Sequence, residues 1–505
     1  MSSIVLRLPA NLSERAVKAL APAYFVGLPD YMPWITQNVV GDGQISSEKE
    51  IPESGCMCVP WFLPNSVDEL PSPLLRSKLA LMLSTATLAE RPEPYRLAVE
   101  LARGRVNQLR NQAADWQSGG LEMPKALDEA IRNASRTFGK AVCQSKDADA
   151  DADSEEALLL ALATGEDLVT EYITQVMTAR TVRTPRLPTL LGCNVPAPNE
   201  QTDLVKSAFN TLRAPLNWRD IEQKEGTYNW EAFDAWMAWA KPLEKTIEIG
   251  PLFDMSPSRL PAWLPEKLGD PQAVANLMLD FLEAALERYR DQVKFWMLTC
   301  GMNDPSLLEL DEEESLWLNT QLYAAAQQTH PNGEFSLGLA QPWGEAVARG
   351  TPAYSPFVYA DALMRSRVLL SSLDLELVFG VTPRGSVGRD RLDLSRLFDL
   401  YALLGVPLRV TLGVPAAGGA DPHGDPAYQM NPLYGPDAWT SETQAGWVDA
   451  LSQLIICKPF IASLTYSHFS DAQPHRFPNV GLLDQRGEAR PALAKLRALR
   501  EKYLT

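Results

Sequence analysis

From Pro185 onward the chain repeats one rhythm, a short apolar run followed by an amphipathic helical stretch, and this repetition limits the fold more than any other feature. The apolar runs are, in order, PTLLGCNV, FNTLRAP, TIEIGPLFD, VKFWMLTCG, FSLGLAQPWG, LDLELVFGV, PLRVTLGV and IASLTYSHF. Between them lie segments such as WEAFDAWMAWA, where Phe233, Trp236, Met237 and Ala240 fall on one helical face. Strands alternating with helices form parallel sheets, and eight such units suit a closed barrel better than an open doubly wound sheet. The expected fold class is therefore α/β, a (β/α)8 TIM barrel over residues 186–505.

The remaining chain reads differently. Residues 1–90 are rich in Pro, Gly and short alternating runs such as SIVLRL, which suits a small β-rich domain. Residues 91–185 carry apolar positions at helical spacing and form a helical segment. Within it the tract KDADADADSEE lacks the Gly and terminal Glu of a calcium loop, so it reads as an acidic solvated linker or helix start, with a helix expected from about Glu155 to Ala179.

Composition excludes several function classes. No run approaches the roughly 18 apolar residues of a membrane span, and the net charge of -17 opposes contact with phosphate backbones. Neither a membrane nor a nucleic acid is an expected partner. The N-terminal stretch has no basic region leading into an apolar one, so a cytoplasmic protein is expected. Of six cysteines only Cys56 and Cys58 lie close together, which suits reduced thiols.

In a (β/α)8 barrel the chemistry sits where strands end. The ends here offer Asn217 and Trp218, Asp254, Asn303 and Asp304, Trp343 and Glu345, Thr382 and Arg384, then His468, Asp471, His475 and Arg476. Aromatic faces beside hydrogen-bonding groups suit sugar rings, so Asn217, Trp218, Trp263, Asn303, Trp343, Arg384, His468, His475 and Arg476 are candidate substrate-binding residues. The alternative for Trp218, Trp263 and Trp343 is packing beneath long loops. Strand alternation turns Leu373, Leu375 and Leu377 toward the helices, and Asp374 and Glu376 inward. Glu376 and Arg409, and Arg213 and Glu248, would then meet inside the barrel. An interior ion-pair layer is the favoured reading, against a catalytic role for either glutamate. His468, Asp471 and His475 have spacings that suit a metal on a helix, but Pro474 and Pro478 make the segment a loop, so neither a metal nor a cofactor is expected.

Several segments resemble family-10 glycoside hydrolases, the retaining xylanase family. They are LRAPLNWRDIEQKEGTYNWEAFDAWMAWA, GPLFDMSPSRLPAWL, AAAQQTHPNGEFSLGL, LLGVPLRVTLGV and the C-terminal SHFSDAQPHRFPNVGLLDQRGEARPALAKLRALR. Together they span about residues 188–500 in the family's order. The resemblance implies the barrel fold and a β-linked glycan or oligosaccharide as ligand. It also implies an acid/base glutamate closing strand four and a nucleophilic glutamate closing strand seven. Laid on this chain, the first falls at Gly301, with Cys300 where the family has Asn, and the second at Leu412, next to a matching Thr411. The family's histidine after strand three is not found around Gly250, and its lysine before Trp218 is Asn217.

Two readings follow. In one, the barrel binds a glycan at its C-terminal face without the retaining chemistry, as a pseudoenzyme. In the other, it is an active glycoside hydrolase whose carboxylates have moved, with Glu345, Asp471, Asp304, Asp254 and Glu376 as candidate catalytic residues.

Overall fold

The computed structural model of the protein describes residues 2–64, 70, 72–198, 200–350 and 354–505. Its C-terminal part is a closed cylinder of eight parallel strands. They are Leu190–Asn194, Thr211–Ala214, Thr246–Ile249 continued by Phe253–Asp254, Phe295–Cys300, Glu334–Ala340, Ser372–Val378, Leu408–Gly413 and Ile461–Tyr466. Each pairs in parallel with the next, and the eighth returns to the first through Thr465 opposite Gly192. All eight expected strands are present.

The helices between them bury the faces their periodicity requires. In Glu231–Ala240 the buried side chains are Phe233, Trp236, Met237 and Ala240. Helix Pro271–Tyr289 starts at Asp270, whose carboxylate accepts from the Gln272 and Ala273 amides and so satisfies two of the free N–H groups of the first turn. Leu373, Leu375 and Leu377 lie fully buried in the apolar layer under the helices.

The inward faces carry charge. Arg213 donates to Asp374 at 2.6 Å and to Glu248 at 3.3 Å, and Arg409 donates to Glu248 at 2.5 Å. Thr411 bridges the set, donating to Asp374 at 2.7 Å and accepting from Arg213 at 2.6 Å. Two guanidinium and two carboxylate groups thus form a neutral layer in which no residue is more than 5% exposed. The expected pairing of Arg213 with Glu248 is present. Glu376 is not Arg409's partner: it stands one inward position beyond Asp374 along its strand and bonds to loop arginines at the mouth.

The N-terminal part contains two four-stranded sheets, one ordered Thr36–Gly41, Gln44–Lys49, Ser2–Arg7, Tyr95–Arg96, the other Met32–Trp34, Tyr24–Gly27, Gly55–Phe62, Ala80–Leu88. Helices Leu97–Ser118, Lys125–Cys143 and Asp147–Arg183 follow. Gly104 lets the first of these lie against strand Ala80–Leu88, since a Cβ there would stand 2.1 Å from the Ser84 carbonyl oxygen. The acidic tract is not a linker. It forms the opening turns of helix Asp147–Arg183, where negative charge favours a helix N-terminus, and Asp147 bonds both Arg7 and Arg96 at 2.6 Å. Glu166, 1% exposed, ties this helix to the barrel by accepting from Ser72, from the Arg391 amide and from the Arg391 side chain.

The interior layer gives a stability prediction. Arg213→Met leaves Glu248 and Asp374 short of a counter-charge in a dry interior and is expected to cost about 3–5 kcal/mol in urea unfolding. Lys294→Met, which removes an ion pair to Glu334 whose side chains are 58% and 40% exposed, is expected to cost less than about 1 kcal/mol.

Candidate functional site

Four charged side chains meet at the C-terminal mouth of the cylinder. Asp254 closes strand three, Glu376 lies near the end of strand six, and Arg384 and Arg476 come from the loops after strands six and eight. Arg384 donates through Nη1 to Asp254 at 2.8 Å, and its Nε stands 3.0 Å from Glu376. Arg476 reaches both carboxylates as well, through Nη1 to Asp254 and Nη2 to Glu376. Each acid is therefore shared by two guanidinium groups, and the set is neutral. Burial alone would raise the Asp254 carboxyl, but Arg476 and Arg384 hold it well below the usual carboxylate range. Ser256 adds a hydrogen bond of 2.7 Å to Asp254, and the Tyr428 hydroxyl lies 2.7 Å from Ser256.

The set fills the axis. The free volume at the mouth is about 50 Å³, room for roughly four water molecules. Cys300 is buried beneath, with Arg384 Nη2 3.1 Å from its sulfur. Burial pushes its thiol up, against the pull of Arg384. The next residue, Gly301, has φ +84, and a Cβ there would stand 2.6 Å from Arg384 Nη2. A side chain at 301 and the guanidinium of Arg384 compete for the same space.

Behind Arg476 lies a second cluster. His475 faces a carbonyl oxygen on one ring nitrogen, Gln473 O at 2.8 Å from Nδ1, and a carboxylate on the other, Asp421 Oδ2 at 2.9 Å from Nε2. Both partners only accept, so both ring nitrogens must donate and the ring carries the proton. Its pKa is raised accordingly: burial would lower it, but the bonds to Asp421 and Gln473 outweigh that. His468 stacks on it at 4.2 Å and stays neutral, held down to about 4 by burial and by the positive neighbour. Ligand atoms of His468, Asp471 and His475 come within 4.8 Å of one another, yet all three are engaged. Asp471 accepts from Arg490 at 2.6 Å and from the Gly481 amide at 2.7 Å. A cation here would have to displace Arg490 and the proton of His475.

The other candidate residues separate. Asn217 caps helix Trp218–Ile221 and lines the mouth. Trp218 is 1% exposed, donates to Glu222 at 2.6 Å and packs against Phe253, Trp263 and Phe281, so its ring offers no face to a ligand. Trp263 packs edge-on beneath it. Asn303 and Asp304 line a roomier groove beside the axis, of about 560 Å³, shared with Gln341, Thr382, Arg349 and Arg384. Asp304 turns part of its carboxylate back onto Ser306, at 2.7 Å. The Asn303 Oδ1 atom is buried with no hydrogen-bond partner among the described residues. Glu345 and Trp343 stand apart from all of these: Glu345 accepts from Arg389 and Ser386, and Trp343 lies under the Arg389 guanidinium at 4.5 Å.

Residues 190–305 match glycosyl hydrolase family 10. Solved structures similar to the chain include xylanase 10B from Thermotoga petrophila in complex with xylobiose, 13% identical over 62% of this chain and 94% of that one, with a TM-score of 0.47. Native xylanase 10B from Thermotoga maritima is 12% identical over 66% and 97%, also at 0.47. A mutant xylanase from Cellvibrio japonicus in complex with xylopentaose is 16% identical over 63% and 68%, at 0.45. A comparison with curated proteins returned no match. The family 10 match covers the first four strands and the loop holding Gly301, Asn303 and Asp304. Asp374, Asp421, Gln341 and Tyr428 were not singled out as site residues from sequence. Alternation does turn Asp374 inward, whereas the other three sit in segments without periodicity.

The histidine pair sets a pH dependence. Below its ordinary value of 6.5 the unfolded chain protonates His468 while the folded chain does not until about 4, so stability falls as pH drops through that window. His475 has the opposite sign and is protonated in both states there, and Asp254 and Asp471, with lowered pKa, lose their contribution only at more acidic pH. Guanidinium unfolding is expected to register a loss on the order of 2–3 kcal/mol between pH 7 and 4.5, largely abolished in His468→Asn.

Proposed function

We propose that the barrel is a carbohydrate-related, non-hydrolytic counterpart of family-10 glycoside hydrolases that holds a short β-linked oligosaccharide in the groove beside its axis. The reading rests on the clamp of Asp254 and Glu376 between Arg384 and Arg476. Retaining hydrolysis needs one carboxylate free to attack and a second carboxyl to deliver a proton. Asp254, held ionised by two guanidinium groups and bonded at both oxygens, is a poor proton donor and a poor nucleophile, and Glu376 is ion-paired to the same two arginines.

The positions aligned with the family's glutamates support the same reading. Gly301 has no side chain, and Arg384 stands where one would begin. On strand seven, Thr411, Leu412 and Gly413 supply no carboxyl in any register, and Leu412 is fully buried. The other candidate acids each have a partner. Glu345 is buried against Arg389, Asp471 is held by Arg490, and Asp304 caps its own turn.

Sugar recognition is assigned to the groove because it offers the volume the axis lacks and is lined by polar side chains, Asn303, Asp304, Gln341 and Thr382, that can hydrogen-bond hydroxyl groups.

The test pairs an assay with a titration. Reducing-sugar release from a panel of β-linked glycans is expected to stay at the level of the blank. Calorimetric titration with xylobiose to xylopentaose is expected to give saturable binding, weakened about tenfold, ~1.4 kcal/mol, by Asn303→Ala. Sugar release abolished by Asp254→Asn or Glu376→Gln would overturn the proposal.

A further inference from the structure

The segment that carries Arg476 is held in place by a proton. His475, one residue earlier, sits between two groups that only accept: the Gln473 carbonyl, 2.8 Å from Nδ1, and Asp421 Oδ2, 2.9 Å from Nε2. A neutral imidazole has a single N–H. Once the proton leaves, the ring satisfies one acceptor and turns a lone pair on the other. Asp421 is charged and is fixed by the His423 and Asn479 amides, so it is the better partner, and the Gln473 carbonyl is the one repelled.

Charge balance points the same way. Asp421 and Asp471 face the ring, the second at 3.8 Å; His475 and Arg490 oppose them, and His468, stacked on the ring at 4.2 Å, is neutral. Loss of the His475 proton leaves one carboxylate unmatched in a pocket where the His475 and Asp421 side chains have no exposed surface. Burial lowers the pKa of His475, but the bonds to Asp421 and Gln473 and the charges of Asp471 and Asp421 carry it above its ordinary value of 6.5, so the proton leaves on the alkaline side of that value.

Movement at Gln473 reaches the barrel mouth within three residues. Pro474 has no N–H, and Gln473 Oε1 is buried with no partner among the described residues. Arg476 meets Asp254 and Glu376 on two different strands at once, and such bonds weaken steeply as the groups separate or tilt. We propose that His475 is a proton switch for the mouth: protonated, it holds residues 473–476 so that Arg476 closes over Asp254 and Glu376, and deprotonated it releases that closure. The switch acts whatever the groove beside the axis binds.

Two readouts on the full chain test it. Selective 15N-histidine labelling follows the ring directly, since the chain has four histidines. Alkylation of Cys300, which lines the mouth cavity, reports opening and is located by peptide mapping. His475 is expected to be doubly protonated at about pH 6 and to lose a proton as the pH is raised. His475→Gln, always uncharged, is expected to alkylate at Cys300 at least about tenfold faster than the parent at about pH 6, and to converge on it above the pH at which His475 titrates, because closure linked to one proton changes up to about tenfold per pH unit. Taking the ratio at each pH removes the ordinary pH dependence of the thiol. Asp421→Asn, which weakens the hold on the proton, is expected to move the His475 titration and the Cys300 profile to lower pH together; this comparison decides the matter if His475→Gln does not fold. The proposal is overturned if His475 is neutral at about pH 6, if the alkylation ratio is the same at every pH, or if the Cys300 profile stays put while the His475 titration moves.

Discussion

Charge neutrality along the barrel axis is the constraint on which the rest of the structure depends. The lower layer holds Arg213 and Arg409 against Glu248 and Asp374; the upper holds Arg384 and Arg476 against Asp254 and Glu376. Each layer contains two charges of either sign, and neither can lose a member without leaving an ion unpaired in a medium that solvates it poorly. A barrel interior is more often filled by layers of branched apolar side chains. Here the packing is done by ion pairs, so the axis is specified by geometry and charge together.

That choice bears directly on the mouth. In a cleft that cleaves glycosidic bonds, the two carboxyls sit in different environments and titrate apart. At this mouth Asp254 and Glu376 share both of their cationic partners. Gly301 and Arg384 are two sides of one fact. The left-handed backbone at 301 and the absent Cβ admit the guanidinium, and the guanidinium then excludes any longer side chain from that position.

Much of this was legible from sequence because strands and helices have fixed periods. The eight apolar runs gave the eight strands, and alternation placed Arg213, Glu248, Asp374, Glu376 and Arg409 on the inner face. Partner choice was not legible, since Glu376 bonds to Arg384 and Arg476, which arrive on loops whose path no period encodes. For the tryptophans the sequence left two alternatives, ligand platform or packing beneath loops. Trp218 follows a strand end, where a ligand platform is expected, but the short helix it opens turns its ring into a cage of Phe253, Trp263 and Phe281. For the Asp-Ala tract composition left open a solvated linker or a helix start, and the structure has the helix start. What decided it was tertiary: Arg7 and Arg96 neutralise Asp147, and Ala150 packs inward.

The N-terminal sheets and helices are not an appendage on this scaffold. The Met82 amide donates to Gly388 O at 2.8 Å, the Arg389 guanidinium to the Tyr24 hydroxyl at 3.2 Å, and Asp390 both caps helix Arg391–Ala402 and accepts from Arg105. These contacts fall on residues 388–391, a few positions after Arg384. The loop that carries the mouth arginine is therefore anchored at its far end by the N-terminal sheet and at its near end by strand six. Its position over Gly301 depends on both anchors, and a change at the seam between the two parts has a short covalent route to the groove beside the axis.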